Sequence, residues 1–273
     1  MSNLATSFRS SDQIRRDRPL TDDEMRAIAP SIYAEDAHDS RSSRYAYIPT
    51  SNILAGLAKE GFQPFMVCQS RARNADRRAH TKHMVRLRHA NQIVAEEANE
   101  IILINSHDGT SKYQMLAGIY RFVCSNGIIR GDELADIRIP HKGNIRDQVI
   151  EGAFTVLDQF DEVTATISEM KGKNLSEGAE HAFARAALEL RYDDEYKPIT
   201  DTALLRPLRS ADYGHDLWTT FNRVQENIIR GGVRGRSANG SRMTTRQING
   251  IDQNVKLNRA LWVLADEMRK LVA

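Results

Sequence analysis

IRDQVIEGAFTVLDQFDEVTATISEM, residues 145–170, decides how the rest of the chain is read. Ile145, Val149, Ala153, Val156, Phe160, Val163, Ile167 and Met170 follow one another at spacings of four, four, three, four, three, four and three. That is the period of an α-helix with one apolar stripe, running for about seven turns. A stripe of this length has to be covered, so the sequence predicts a single long amphipathic helix packed on a sheet or on another helix. Gly172, Lys173 and Asn174 stop it.

Upstream of this helix the period is two. Residues 65–70, 82–89, 101–106, 113–124 and 137–139 are short runs rich in β-branched and aromatic residues, separated by polar loops. They read as antiparallel strands. Asp108-Gly109 and Asn126-Gly127 read as turns, so a meander is the simplest topology. Residues 45–48 suit a further strand, after which Ser51 is placed to cap a helix carrying Ile53, Leu54, Leu57 and Ala58 and closed near Gly61. Thr21 and Glu24 have capping-box spacing and open a short helix that Pro30 ends. Residues 1–20 are polar and basic, with Arg9, Arg15, Arg16 and Arg18, and without periodicity. They read as a mobile N-terminal arm.

Downstream, Ser176 caps a helix bearing Ala179, Ala182, Phe183, Ala186, Ala187 and Leu190, and a short helix follows around residues 202–205. A third helix carries Leu217, Trp218, Phe221, Val224 and Ile228 on its apolar face until Gly231 and Gly232 stop it. Asp252 caps a last helix with Val255, Leu261, Leu264, Met268 and Leu271 as its stripe. The expected fold is therefore α+β: an antiparallel β-meander with a long amphipathic helix packed on it, followed by a helical C-terminal half. The expected organisation is a mobile arm over 1–20 and a single α+β domain over 21–273. That domain is sheet-rich over 45–140 and helical over 145–273, with a basic loop at 230–250.

Composition narrows the class of protein. The chain has 273 residues, 41% hydrophobic and 27% charged, and a formal net charge of +2, which describes an ordinary globular protein. No run approaches the roughly 20 apolar residues of a membrane helix, and the first residues lack the apolar segment of a secretory signal. The cytoplasm is the expected compartment, with no membrane partner. Cys68 and Cys124 both sit in apolar runs and read as small buried hydrophobes. No metal site is expected, because His80, His83 and the His107-Asp108 pair lack further ligands at metal spacing. No cofactor is expected either: the Gly231–Arg236 run follows a helix, where a nucleotide-binding glycine loop follows a strand. No conventional nucleophile motif is present, so no catalytic residue is assigned.

Charge distribution carries the functional reading. Arg230, Arg234, Arg236, Arg242 and Arg246 lie in a glycine- and serine-rich stretch with no carboxylate between Glu226 and Asp252. A guanidinium donates two hydrogen bonds to one phosphate and stacks on a base, which makes this stretch a candidate site for nucleic acid. The plain alternative is a solvated loop. A second cluster comprises Arg71, Arg73, Arg77, Arg78, Lys82, Arg86 and Arg88. Alternation along 82–89 sets Val85 and Leu87 on one face and Lys82, Arg86 and Arg88 on the other, giving the sheet a basic face that could track a phosphate backbone. The alternative is a strand edge protected by its charge. Asn222, Gln225, Glu226 and Asn227 either hydrogen-bond the loop and a neighbouring helix or orient Arg223 and Arg230, with Glu226 as the fixing carboxylate.

RFVCSNG at residues 121–127, LWTTFNRVQENIIRGG at 217–232 and KLNRALWVLADEM at 256–268, with an arginine-rich linker before the third, resemble the plasmid- and phage-borne family called domain of unknown function 932. The likeness spans most of the chain after the arm and implies a cytoplasmic bacterial protein carried on mobile DNA. The order of helix, antiparallel meander and long helix also resembles the architecture of single-strand annealing recombinases of the Red-beta and RecT kind. That likeness implies homo-oligomers that hold single-stranded DNA without a metal or ATP. The expected function is single-stranded DNA binding and annealing in recombination on a mobile genetic element. The alternative is an anti-defence or plasmid-maintenance protein whose basic loop docks a host protein partner.

Overall fold

The structure, a computed structural model, describes residues 11–36, 47, 49–71, 75–89, 97–122, 126–130, 137–139, 144–192 and 196–272. The chain divides into two compact units. One comprises Met1–Ile128, Glu133–Phe160 and Asn249–Ile251; the other comprises Ile129–Asp132, Asp161–Ile248 and Asp252–Ala273. Cys124, Arg73 and three of the four residues of the expected 45–48 strand lie outside the described residues.

The first unit is built on a meander. Strands β1 (Ser11–Arg15), β2 (Phe62–Ser70), β3 (His83–His89), β4 (Glu97–Asn105), β5 (Tyr113–Arg121) and β6 (Asn126–Ile129) lie in sequence order, and β7 (Ile137–Ile139) also pairs with β5. The pairs β1/β2, β2/β3, β3/β4, β4/β5 and β5/β7 are antiparallel. Gly109 has φ 77° in the connection from β4 to β5, as the Asp108-Gly109 signal requires. Asn126-Gly127 begins β6 instead of forming a turn. Gly127 is needed there for space, since a β-carbon would collide with the Arg86 guanidinium.

Part of the expected arm is a strand: Gln13, Ile14 and Arg15 pair with Cys68, Val67 and Met66 and give β2 a hydrogen-bonded neighbour on its outer edge. The basic face of β3 is also buried. Arg15 on β1 places its guanidinium 4.3 Å from the Tyr120 ring on β5, although four strand spacings of a flat sheet would separate them by ~19 Å. The sheet is therefore curled, with Arg15, Arg86, Arg88 and Glu100 on its inner side.

Helices cover the outer side. α1 (Asp22–Ile28) begins with the expected capping box, in which Thr21 Oγ1 accepts from Glu24 N at 3.3 Å and Thr21 N donates to Glu24 at 3.0 Å. α2 (Thr50–Lys59) starts one residue before the expected Ser51 cap. The Thr50 hydroxyl instead sits in a buried network, 2.9 Å from His83 Nε2 and accepting from Asn105 Nδ2 at 3.1 Å. α3 (Ile145–Asp158) crosses the sheet at Gly152, where a β-carbon would collide with Met115 of β5. Every residue of the eight-residue stripe is buried. The expected single helix is nevertheless two, because Gln159 N bonds Val156 O at 3.2 Å, three residues back, and α4 (Phe160–Gly172) starts anew.

In the second unit α5 (Glu177–Arg191), α6 (Asp201–Leu204), α7 (Leu217–Arg230) and α8 (Ile251–Leu271) accompany α4 and a two-stranded ribbon, β8 (Arg234–Arg236) with β9 (Arg242–Thr244). α7 is the centre: all of it except Thr219 and Arg230 is buried. Trp218 stacks on Phe221 at 5.4 Å, and Trp262 of α8 meets both rings edge-on. The α8 stripe is Leu257, Leu261, Trp262 and Ala265, and of the five stripe residues expected only Leu261 is buried. Likewise α5 buries Glu180, Phe183, Ala184, Ala187 and Leu188, while Leu190 is exposed. Both buried faces include polar pairs: Glu180 accepts from the Thr220 hydroxyl at 2.8 Å, and Asn258 accepts from Gln225 at 2.7 Å.

Candidate nucleic-acid interface

The arginine-rich stretch is an ordered hairpin. Gly231 ends α7 at φ 67°, and a β-carbon there would lie 2.7 Å from the Arg246 backbone, so glycine lets the incoming and outgoing chains touch. Gly232 N to Thr245 O at 2.9 Å and Thr245 N to Val233 O at 2.9 Å close the base, and Gly240 at φ 81° helps turn the tip. Arg234 pairs with Thr244, Gly235 with Met243 and Arg236 with Arg242. This register sets Arg234, Arg236, Arg242 and Thr244 on one face, and all four are exposed, as are Arg230 and Arg246. The glycine side of the ribbon rests on residues 196–199: Arg236 N donates to Pro198 O at 2.9 Å, and the Tyr196 hydroxyl donates to Arg236 O at 2.6 Å.

Electrostatics on this face are unbalanced. Arg236 and Arg242 stand directly across the ribbon, a like-charge arrangement that destabilises a strand pair. Arg236 donates to Gly240 O at 2.9 Å, and among the described residues no carboxylate pairs with Arg234, Arg236, Arg242 or Arg246. Arg230 is held differently. Glu226, buried on α7, accepts from Arg230 at 3.0 Å and from Arg209 at 2.7 and 2.9 Å. Glu226 thus fixes Arg230, while Arg223 is held by Glu180 on α5.

The family model for a domain of unknown function, DUF932, matches residues 37–262. The chain belongs to the DUF932 family. It is 51% identical over 268 residues to the UPF0380 protein YafZ of Escherichia coli (strain K12), and 50% identical over 268 residues to the UPF0380 protein YfjQ of the same strain. Each alignment covers 98% of both chains. No solved structure matches.

The second basic cluster of this DUF932 chain is scattered by the fold. Arg71 and Arg78 are exposed, Lys82 is half-buried, and Arg77 falls in the 3₁₀ turn Ala75–His80. Arg86 and Arg88 face the inside of the curled sheet at 3% and 2% exposure, which removes them from any outer groove. Both donate through Nε to the buried Glu100. Burial alone would raise the Glu100 carboxyl, but the charges of Arg86, Arg15 and Arg88 outweigh it and hold it below the usual range. The alternation along residues 82–89 sorted the two faces correctly; the wrong step was to equate the charged face with the solvent face. Glu100, the carboxylate directly before the apolar run IILI, is the sequence feature that accompanies this burial.

Cys68 and His83 lie in the core. Cys68 is buried and its thiol is pushed up to about 12 by burial. His83 lies between the Ser31 hydroxyl at 2.8 Å and the Thr50 hydroxyl at 2.9 Å, in a fully buried network with Asn105. Among the described residues no group of three histidine, cysteine or carboxylate side chains could hold a metal ion, and no helix is long and apolar enough to cross a membrane. Two neighbours of the hairpin have no local signature in the sequence: Tyr196, 40% exposed beside Arg236, and Arg209, joined to Arg230 through Glu226.

Proposed function

We propose that this protein binds nucleic acid without sequence preference, holding phosphates on the arginine face of the β8/β9 ribbon, and that single-stranded DNA is its substrate. The observation carrying the reading is the exposed Arg236–Arg242 cross-strand pair, flanked by Arg234 and, among the described residues, without a carboxylate partner. Such a face stores repulsion that a polyanion relieves. Along β8 the two arginines are two residues apart, about 6.8 Å on one face, so neighbouring guanidiniums reach separate phosphates. Tyr196 supplies an aromatic surface beside them, and stacking of a base on such a ring tolerates any sequence. A strand held in this way keeps base edges free for pairing, which suits annealing in recombination on mobile DNA, with no metal or ATP required and a homo-oligomer extending the track.

Competition gel shifts test the reading. A labelled 30-nucleotide single strand is expected to be displaced by unlabelled single strands of unrelated sequence at equal concentrations, and by duplex of the same length only at higher concentration. If no retardation occurs even at low salt, while an acidic host protein is retained on the immobilised chain after nuclease treatment, the hairpin docks a protein instead.

A further inference from the structure

The inner side of the curled sheet holds three guanidiniums, Arg15, Arg86 and Arg88, around one carboxylate, Glu100. Both oxygens of that carboxylate are already used: one accepts from Arg86, the other from Arg88 at 2.9 Å and from Arg15 at 3.4 Å. Arg86 is otherwise satisfied, since its Nη2 donates to Ile128 O at 2.9 Å and Ile119 O at 3.4 Å. Gly118 and Gly127 leave room for it, a β-carbon at either position meeting the Arg86 guanidinium.

Arg88 is not satisfied among the described residues. There it donates only through Nε, and its Nη2 is buried without an acceptor, the side chain being 1% exposed. The rings of Phe65, Tyr120 and Phe122 lie 4.3, 4.3 and 5.2 Å from its guanidinium carbon. Ring faces offset part of its charge but give its N–H groups no oxygen to bond. Arg15 also lies 4.3 Å from the Tyr120 ring, with one long bond to Glu100 and 21% of its side chain exposed. A buried donor without acceptor and two cations in excess of carboxylate are costly unless an anion completes the set.

We propose that Arg88 and Arg15 form an anion site for a phosphoryl group on the inner side of the sheet, with Tyr120 as its wall. The oxyanion accepts from the Nη atoms of Arg88 and from the guanidinium of Arg15, whose partial exposure makes β1 the way in. A guanidinium fork donates paired hydrogen bonds to a tetrahedral oxyanion, which favours phosphate over chloride. The site lies in the sheet unit and does not depend on the hairpin reading. The phosphoryl group comes either from free phosphate or from the terminal phosphate of a nucleotide.

Thermal unfolding of the full chain in sodium phosphate and in sodium chloride, at equal ionic strength and pH, tests this. A saturable rise of at least about 3 °C in phosphate is expected, and Arg15→Gln removes it while unfolding cooperatively. Arg15 is chosen because replacing Arg88 breaks a buried ion pair with Glu100. A variant with Arg234, Arg236 and Arg242 changed to alanine must keep the rise, which separates this site from the hairpin. A rise with a nucleoside 5′-monophosphate alone, absent with the nucleoside, assigns the source to a nucleotide terminus. No rise with either phosphate or monophosphate, or an equal rise in Arg15→Gln, overturns the proposal.

Discussion

Gly235 of the hairpin lies flat against Pro198: a β-carbon at Gly235 would overlap the Pro198 carbonyl oxygen and crowd Ile199. The same carbonyl accepts from Arg236 N at 2.9 Å. The contact presses the glycine side of the ribbon onto residues 196–199, so its opposite side, with Arg234, Arg236 and Arg242, is the side that faces out. Gly235→Ala is expected to lift the ribbon off this seat at a stability cost of roughly 1–3 kcal/mol and to weaken oligonucleotide binding while all arginines remain. Urea unfolding and anisotropy on the same variant check both. Unchanged affinity in a destabilised variant would mean that ribbon placement does not matter for binding.

Glu100 is the sole carboxylate among the described residues that faces Arg15, Arg86 and Arg88. Glu100→Gln leaves two buried guanidiniums without their counter-charge and is expected to cost about 3–5 kcal/mol. Chemical denaturation midpoints of the variant and the parent measure it. A loss below about 1 kcal/mol would show that the arginines are balanced by something other than Glu100.

The legibility of the chain was uneven for physical reasons. Periodicity located β2 to β5 and the stripe from Ile145 to Met170, because burial acts on every residue of those faces and leaves a repeating mark. It failed where a buried face is held by polar pairs. Glu180 with Thr220, Asn258 with Gln225, and Arg86 and Arg88 with Glu100 all look like solvent-facing residues until their partners are known. The break at Gln159 left no sign either, because a single backbone hydrogen bond closing three residues back does not interrupt the stripe. In the candidate site the arginines and glycines were readable as a cluster. Their alignment on one face depends on the Arg236–Arg242 register, and the support from Tyr196, Pro198 and Arg209 comes from residues distant in sequence.

Burial lowers His83 to about 4, outweighing the opposite effects of its hydrogen bond to Thr81 O and the charge of Asp108. The unfolded imidazole titrates near 6.5 and the folded one near 4, so the unfolded chain alone takes up the proton between those values. Stability from this group is complete above the unfolded value and falls as pH drops toward the folded one, by about 3 kcal/mol in total. Urea midpoints are expected to fall between pH 7 and pH 5 in the parent and to fall less in His83→Gln. Equal slopes in the two proteins would place the acid sensitivity elsewhere.

The most direct test of the central claim is fluorescence anisotropy of a labelled single-stranded oligonucleotide against the parent chain and against Arg234→Ala/Arg236→Ala/Arg242→Ala, each titrated at several salt concentrations. For the parent, the logarithm of affinity is expected to fall linearly with the logarithm of salt, by roughly 0.7 per phosphate contacted. In the triple variant affinity is expected to drop for every sequence, with the salt slope reduced by about 2. A parent that binds with a salt slope the triple variant reproduces would contradict the account, because the phosphates would then be held by residues other than the ribbon.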